Sequence, residues 1–443
     1  MVCGRMILNW EIVKLAKEKQ MVWQIPLTRK QAGVFLAALL LSAALVRLIL
    51  GYTAVHYFDL GYYVDWSSGV LEDFFGAYDR IENLDYPPLF LFPLYFTGWV
   101  MSDPRVSEFH PYAMLALKGW QMLFDLALIP MLYLLLRRHS ELFGLLGAAL
   151  WAVNPTILYN SAYWGQTDSI MLFLLALAFS LLDNGRPVWS SVTMALACLM
   201  KFQSLYFAPL FALVLFTRYP FRRAALGGCA AVASAFAVFL PFMLRSGWDL
   251  PFRVYFGGFA QYPGASLNAF NLYSAEGLNY ASVATTLVGP LTVGGFSACA
   301  TAAALLLLAY FYLTATEKSV WLLGFWFMQT VFLFTARMHE RYQIPVLLFA
   351  LLASVVHRSY PLFWGYAALT AITFFNHFLV LEEAFAGDPP KAWTLWFGDL
   401  VEQFSWANLA VYALTAAVCL HILYRRGRIS LREGIQQAGS YKF

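Results

Sequence analysis

The sequence predicts an all-α polytopic membrane protein with about twelve crossings, and three observations carry that reading. Hydrophobic residues make up 61% of the 443 residues and charged residues 12%, against roughly 45–50% and 25% in soluble domains. Mean hydropathy is +0.62. The apolar residues fall in successive runs, several near the ~20 residues needed to cross a hydrocarbon core. A formal net charge of +4 is too small for a nucleic-acid surface, so no such partner is expected and the charges matter by position. Cys3, Cys198, Cys229, Cys299 and Cys419 lack metal-ligand spacing, and four lie in apolar runs. Neither a disulfide nor a metal site is expected.

Residues 1–30 carry six basic groups (Arg5, Lys14, Lys17, Lys19, Arg29, Lys30) against Glu11 and Glu18, with no small-residue cleavage site before the apolar run that follows. They read as a retained cytoplasmic tail, within which "NWEIVKLAKEKQMVW" (9–23) is either an interfacial helix or a solvated stretch. The first crossing is 31–52. The segment 53–111 holds nine carboxylates (Asp59, Asp65, Glu72, Asp73, Asp79, Glu82, Asp85, Asp103, Glu108) and only Arg80 and Arg105, which suits a large extracytoplasmic loop. Its apolar run 89–101 has only 13 residues, a length more often re-entrant or interfacial than spanning.

Further helices are expected at 112–136, 142–160, 169–183, 187–200, 204–217, 224–244, 296–315, 319–336, 343–357, 361–380 and 406–424. They complete one transmembrane domain, 31–424, and leave 425–443 as a basic cytoplasmic tail. The pair within 169–200 is short enough for a re-entrant hairpin. With this parity "RRHSE" (137–141), "TRYPFRR" (217–223) and "YRRGR" (424–428) all face the cytoplasm, as the excess of Lys and Arg in cytoplasmic loops requires.

The same parity gathers the polar stretches on the other side: the acidic loop, "WGQTDS" (164–169), "KFQ" (201–203), "SLNAFN" (266–271) and "TARMHERYQIP" (335–345). Polar groups brought to one membrane face from distant segments imply a single site. Each also has a structural reading. Arg47 sits where a basic side chain snorkels to the headgroups, and Asp125, deep in a helix, has Lys118 seven residues earlier as a pairing candidate. Asp85 precedes a Pro pair, which either ends a loop or holds the carboxylate still. Asp168, near Trp164 and Gln166, suits the cap of a helix starting at Ser169. Lys201 and Gln203 read as boundary residues, His339 and Arg341 as interface anchors. Together they offer carboxylates as bases and Lys, Arg and His as partners for a phosphate. The chain has neither a phosphate-cradling Walker loop nor a dinucleotide fingerprint. On a face without nucleotide-activated substrates, an activated group has to arrive on a lipid.

Seven stretches in order, "YFDLGYYVDW", "DYPPLFLF", "KGWQMLFDLALIP", "NPTILYNSAYWGQTDSI", "KFQSLYFAPL", "SLNAFNLYSAEG" and "ARMHERYQIPVLL", resemble the bacterial relatives of the GPI mannosyltransferase that adds the second mannose. More distantly, "DYPPL" and the His-Glu pair are similar to the dolichyl-phosphate-glucose glucosyltransferases. The resemblance implies a GT-C fold whose first extracytoplasmic loop carries the catalytic Asp, which falls on Asp59, with Asp65 one to two turns on as the alternative. It implies inverting transfer of a sugar, mannose by family, from a polyprenyl-phosphate donor, with no metal and no cofactor. The family's Lys-X-Gln falls on Lys201 and Gln203, with Phe202 where relatives often carry Pro, and its His-Glu on His339 and Glu340.

On this reading His339, Arg341, Lys201 and Gln203 meet the donor phosphate. Asp85, Glu340, Trp164, Gln166, Asp168, Asn268 and Asn271 position substrates. The expected partners are membrane lipids, the lipid-linked donor and a glycan, glycolipid or protein acceptor. The expected location is a bacterial plasma membrane, with both termini cytoplasmic and the site extracytoplasmic. The competing readings are a transporter or lipid flippase and a polysaccharide polymerase with a pyrophosphate-linked donor.

Overall fold

The computed structural model describes residues 27–384 and 396–440; the expected surface helix at 9–23 lies outside the described residues. Helix α1 (Arg29–Thr53) starts from a capping box in which Thr28 and Gln31 satisfy each other's backbone. Its Val34, Phe35, Leu41, Leu45, Leu48 and Ile49 are exposed, an apolar outer face suited to lipid and not to water.

The segment 53–111 is helical rather than open loop: α2 (Tyr57–Glu72), a single turn at Ala77–Arg80, and α3 (Leu91–Met101) entered through the Pro88–Phe90 turn. Gly98 lets α3 lie directly on α2, because a Cβ there would come within 2.3 Å of the Ser67 carbonyl oxygen. α3 has 11 residues, about 16 Å at ~1.5 Å per residue, too short to span.

The chain continues through α4 (Pro111–Leu136), α5 (Glu141–Ala152), α6 (Asp168–Asp183), α7 (Pro187–Met200), α8 (Ala208–Arg218), α9 (Phe221–Ser246) and α10 (Leu250–Gln261). Then come α11 (Val293–Thr314), α12 (Val320–Phe334), α13 (Ile344–Val356), α14 (Tyr360–Ala384), α15 (Phe397–Tyr424) and α16 (Leu431–Ser440). Six of these, α1, α4, α9, α11, α14 and α15, are long and apolar enough to cross a membrane; α5 with the bent segment Pro155–Trp164 makes a seventh if the pair is one broken span. The protein is a multi-pass membrane protein. The expected twelve crossings also counted shorter helices such as α12 and α13. These are apolar around their whole circumference because protein surrounds them: 14 of the 15 residues of α12 and 12 of the 13 of α13 are buried.

A straight helix over 142–160 does not form. Asn154 accepts from the Thr156 and Ile157 amides and Pro155 opens a new turn, so the chain restarts at an angle of 47° to α5. It then widens into a π-helical turn, Tyr159–Trp164, closed by Gly165 at φ 83°. A side chain at Gly165 would be strained at that φ and would meet Lys118 Cγ at 2.9 Å.

The buried charges differ from the expected pairing. Arg47 does not snorkel: it is fully buried and clamps Asp125 with two bonds, Nε to Oδ2 at 2.7 Å and Nη2 to Oδ1 at 3.2 Å. Trp151 Nε1 and Ser161 Oγ donate to the same carboxylate at 3.0 and 2.7 Å. Lys118 instead donates to the carbonyls of Ala54 and Tyr163. Seven residues along one helix is ~10 Å of rise, and a guanidinium fork from a neighbouring helix reaches the carboxylate directly.

Two short parallel strands, β1 (Ser266–Leu267) and β4 (Met338–His339), pair Ser266 with Met338 and Leu267 with His339. A hairpin of β2 (Thr286–Val288) and β3 (Leu291–Thr292) stands beside them in sequence. The β1–β4 pairing ties 266–271 to the α12–α13 connection. Asn376 and Asn408 fix the same loop from the bundle, donating to the carbonyls of Asn268 and Phe270 at 2.6 and 2.7 Å.

Candidate active site

A cavity of about 490 Å³ opens where the start of α2, the Asp85–Pro87 turn, the Trp164–Gln166 corner, the α7–α8 connection, 262–268 and the α12–α13 connection converge. Asp59 stands in the first turn of α2, behind His56, whose Nδ1 accepts from the Asp59 amide at 3.3 Å. Its Oδ2 accepts from Trp164 Nε1 at 2.8 Å and Gln166 Nε2 at 3.0 Å. Both of these bonds fall on one oxygen, and among the described residues no hydrogen bond is on Oδ1. The corner that carries these donors is fixed by the π-helical turn and by Gln121, which donates to the Gly165 carbonyl at 3.0 Å.

Asp65 is exposed and does not line the cavity. Six residues at ~100° each turn it about 120° away from Asp59 around the same helix.

The triplet that interrupts the apolar run lines the same cavity. Arg341 Nη1 donates to Glu340 Oε1 at 2.7 Å, and the Arg341 guanidinium lies 5.9 Å from the Trp164 ring centroid. His339 packs between Tyr262 and Tyr342, with ring centroids 5.0 and 5.1 Å apart. His339 Nε2, Arg341 Nε and Gln203 Oε1 are buried without a partner among the described residues. Lys201 lines the same cavity, but its ammonium is already matched by Asp168 at 2.8 Å.

Asp168 is not the helix cap: Thr167 occupies that position, while the Asp168 carboxylate takes Lys201 on one oxygen and Asn160, at 3.1 Å, on the other. A buried ammonium draws the carboxylate more strongly than one backbone amide. Asn268 lines the cavity at φ 59°, held by Tyr280 at 2.8 Å and Asn279 at 2.7 Å. Asn271 does not line it; its side chain caps the short helix Leu272–Ala275.

Burial dominates the protonation states. It lowers His339 well below the ordinary imidazole value, helped by Arg341 and Lys201, so the histidine is neutral at pH 7. Burial raises Glu340, with Arg341 pulling the other way. It works against the Arg341 charge too, but Glu340 and Asp59 more than offset it and hold the guanidinium above its ordinary value. Burial lowers Lys201, against Asp168, and pushes Asp85 up to about 6. Among the described residues no three His, Cys, Asp or Glu side chains are placed to share a metal ion.

Much of the cavity lining is aromatic. Tyr63 bonds Tyr86 through the hydroxyls at 2.8 Å and packs on Trp66 at 5.6 Å, and Tyr62, Tyr262 and Tyr280 line the same cavity. Sequence reasoning passed over these residues and His56. The density of Tyr and Trp in "YFDLGYYVDW" was the available signal, since aromatic faces carry apolar bodies with polar rims.

The sequence model of glycosyltransferase family 87 matches residues 84–336, more than half of the chain. The chain belongs to glycosyltransferase family 87. A comparison with curated proteins gives no match. The match begins just before Asp85 and ends just before the His339–Arg341 triplet, so it takes in the Trp164–Gln166 corner and Lys201 while Asp59 lies upstream. For a glycosyltransferase the arrangement supplies a carboxylate fixed by two N–H donors and a cation that lies against the same Trp164 indole.

Proposed function

We propose that the protein is an inverting GT-C glycosyltransferase that moves a sugar, mannose by family resemblance, from a polyprenyl-phosphate donor to an acceptor hydroxyl on the extracytoplasmic face of a bacterial plasma membrane. The observation that carries this reading is Asp59, pinned through Oδ2 in the cavity that Arg341 also lines. Its role is general base. The acceptor oxygen attacks the anomeric carbon from the face opposite the phosphate, a C–O bond forms as the C–O bond to phosphate breaks, and the acceptor proton passes to Asp59. Polyprenyl phosphate leaves as an anion. Arg341 Nε and His339 Nε2, buried without a partner among the described residues, are the groups suited to receive it; neutral His339 donates a hydrogen bond and Arg341 the charge. Lys201 with Asp168 acts as a matched pair behind them.

Charge favours a phosphodiester donor over a pyrophosphate one. Arg341 and Lys201 are each already paired with a carboxylate, and Asp59 and Asp85 add further acidity, so the cavity has no surplus positive charge for a second phosphate.

The test incubates the purified protein with polyprenyl-phosphate mannose and a mixed glycan and glycolipid acceptor pool, and analyses the lipid extract. The expected product is free polyprenyl phosphate with mannose on the acceptor. Turnover only with pyrophosphate-linked donors would select the polymerase reading, and donor movement between leaflets without bond cleavage the flippase reading.

A further inference from the structure

Helices α6, α12 and α13 each run between two cavities. α6 starts at Asp168 and ends at Asp183, α12 starts beside Ser319 and leads to His339, and α13 leads from the triplet to Val356. At ~1.5 Å per residue these helices hold the second cavity about 20–24 Å from the first. Its volume is about 360 Å³, within the ~300–1,000 Å³ range of small-molecule sites.

Its composition is two-part. Leu135, Leu136, Leu352 and Val356 give it an apolar lining, and Arg138, His139, Lys318 and His357 give it a basic one. Its two carboxylates are already matched: Asp183 by Arg218, and Glu317 by Arg426 at 3.1 Å with Arg425 at 3.5 Å. Among the described residues Lys318 has no ion pair and rests over the Tyr312 ring at 5.4 Å, and Arg138 donates to the neutral Asn184 at 3.1 Å. His357 Nε2 is buried without a partner among the described residues. The first turn of α12, with Val320 and Trp321 in the lining, adds the positive end of a helix dipole. The unmatched charge is therefore positive, and it borders an apolar floor.

We propose that this second cavity binds a phosphate ester, that of an anionic lipid headgroup, through Lys318, Arg138 and His357 Nε2, with the glycerol and first acyl carbons on the leucine floor. The site is separate from the transfer site and needs none of its residues. Basic pockets between membrane helices are a recurrent way to hold such headgroups.

The test is native mass spectrometry of the full chain in nanodiscs containing phosphatidylglycerol or phosphatidylcholine, with glycerol phosphate as the soluble arm. The expected result is selective retention of phosphatidylglycerol, weakened about 10-fold or more in Lys318→Gln and His357→Gln, the loss of one charge-assisted contact. Retention should be unchanged in Arg137→Gln, whose guanidinium lies on the Tyr133 ring instead, and restored in Lys318→Arg. Displacement of the lipid by glycerol phosphate would assign the same phosphate site to a soluble ester. Equal retention of both lipids, or Lys318→Gln and His357→Gln variants indistinguishable from wild type, would overturn the proposal. The Asp59→Asn variant should bind as wild type does, which separates this outcome from failure of the transfer reading.

Discussion

Trp164 Nε1 donates to Asp59 Oδ2 over 2.8 Å while the face of the same indole lies 5.9 Å from the Arg341 guanidinium. One buried side chain thus spaces the carboxylate from the cation, and occupies one oxygen of that carboxylate. Trp164→Phe keeps an aromatic face but loses the five-membered ring and its N–H. A hydrogen bond to a charged group is worth about 1.5–3 kcal/mol, so kcat should fall roughly 10–100-fold with donor KM little changed. Steady-state kinetics decide it: a rise in KM at constant kcat would assign Trp164 to donor binding instead.

The base assignment gives a sharper contrast. Asp59→Asn keeps the shape and both neighbours but removes the basicity, so transfer should drop by about 10²–10⁴-fold, the usual range for a general base. Asp65→Asn should retain near wild-type turnover, because Asp65 is exposed and outside the cavity. Single-turnover assays on both variants, with donor binding measured separately, check this. A collapse in Asp65→Asn would contradict the geometry.

The family resemblance pointed to Asp59, a carboxylate of "YFDLGYYVDW" just after the first apolar helix, and Asp59 lines the cavity. Its setting was not legible in the sequence, since Trp164 lies 105 residues away in the chain and Gln166 107. The order of apolar segments matched the helices closely, yet composition could not tell helices wrapped in protein, such as α12 and α13, from helices facing lipid. The Arg47–Asp125 clamp escaped for a related reason: helical spacing offers partners within one helix, and the actual partner is 78 residues away. The aromatic lining was present as letters but carried no periodic signal that separated it from core.

Asp85 supplies a pH prediction. Burial raises its carboxyl from the ordinary value of 3.8 to about 6, so between those values the folded chain holds a proton that the unfolded chain has released. The neutral form's contribution to stability is therefore fully present below the unfolded value and is lost as pH rises through about 6. Asp85→Asn stays neutral throughout. Its melting temperature relative to wild type should climb between pH 4 and pH 7 and level off above that. A difference constant across the range would mean that Asp85 ionises at its ordinary value.

The last expectation concerns the clamp that anchors the bent segment. Arg47 and Asp125 both have fully buried side chains, and the carboxylate's remaining bonds come from Trp151 and Ser161. Ser161 belongs to the π-helical turn that ends in Trp164, so the clamp connects α1 and α4 to the corner that holds Asp59. Removing one partner leaves the other charge buried and unmatched, a loss of about 3–5 kcal/mol, whereas replacing both by apolar residues of similar volume is often near neutral. Arg47→Met should thus melt well below wild type, and Arg47→Met with Asp125→Leu should recover much of the difference. Lys118→Met should cost less than Arg47→Met, because Lys118 bonds only backbone carbonyls. Thermal unfolding in detergent ranks the three, and a Lys118→Met variant less stable than Arg47→Met would restore Lys118 as the partner of Asp125.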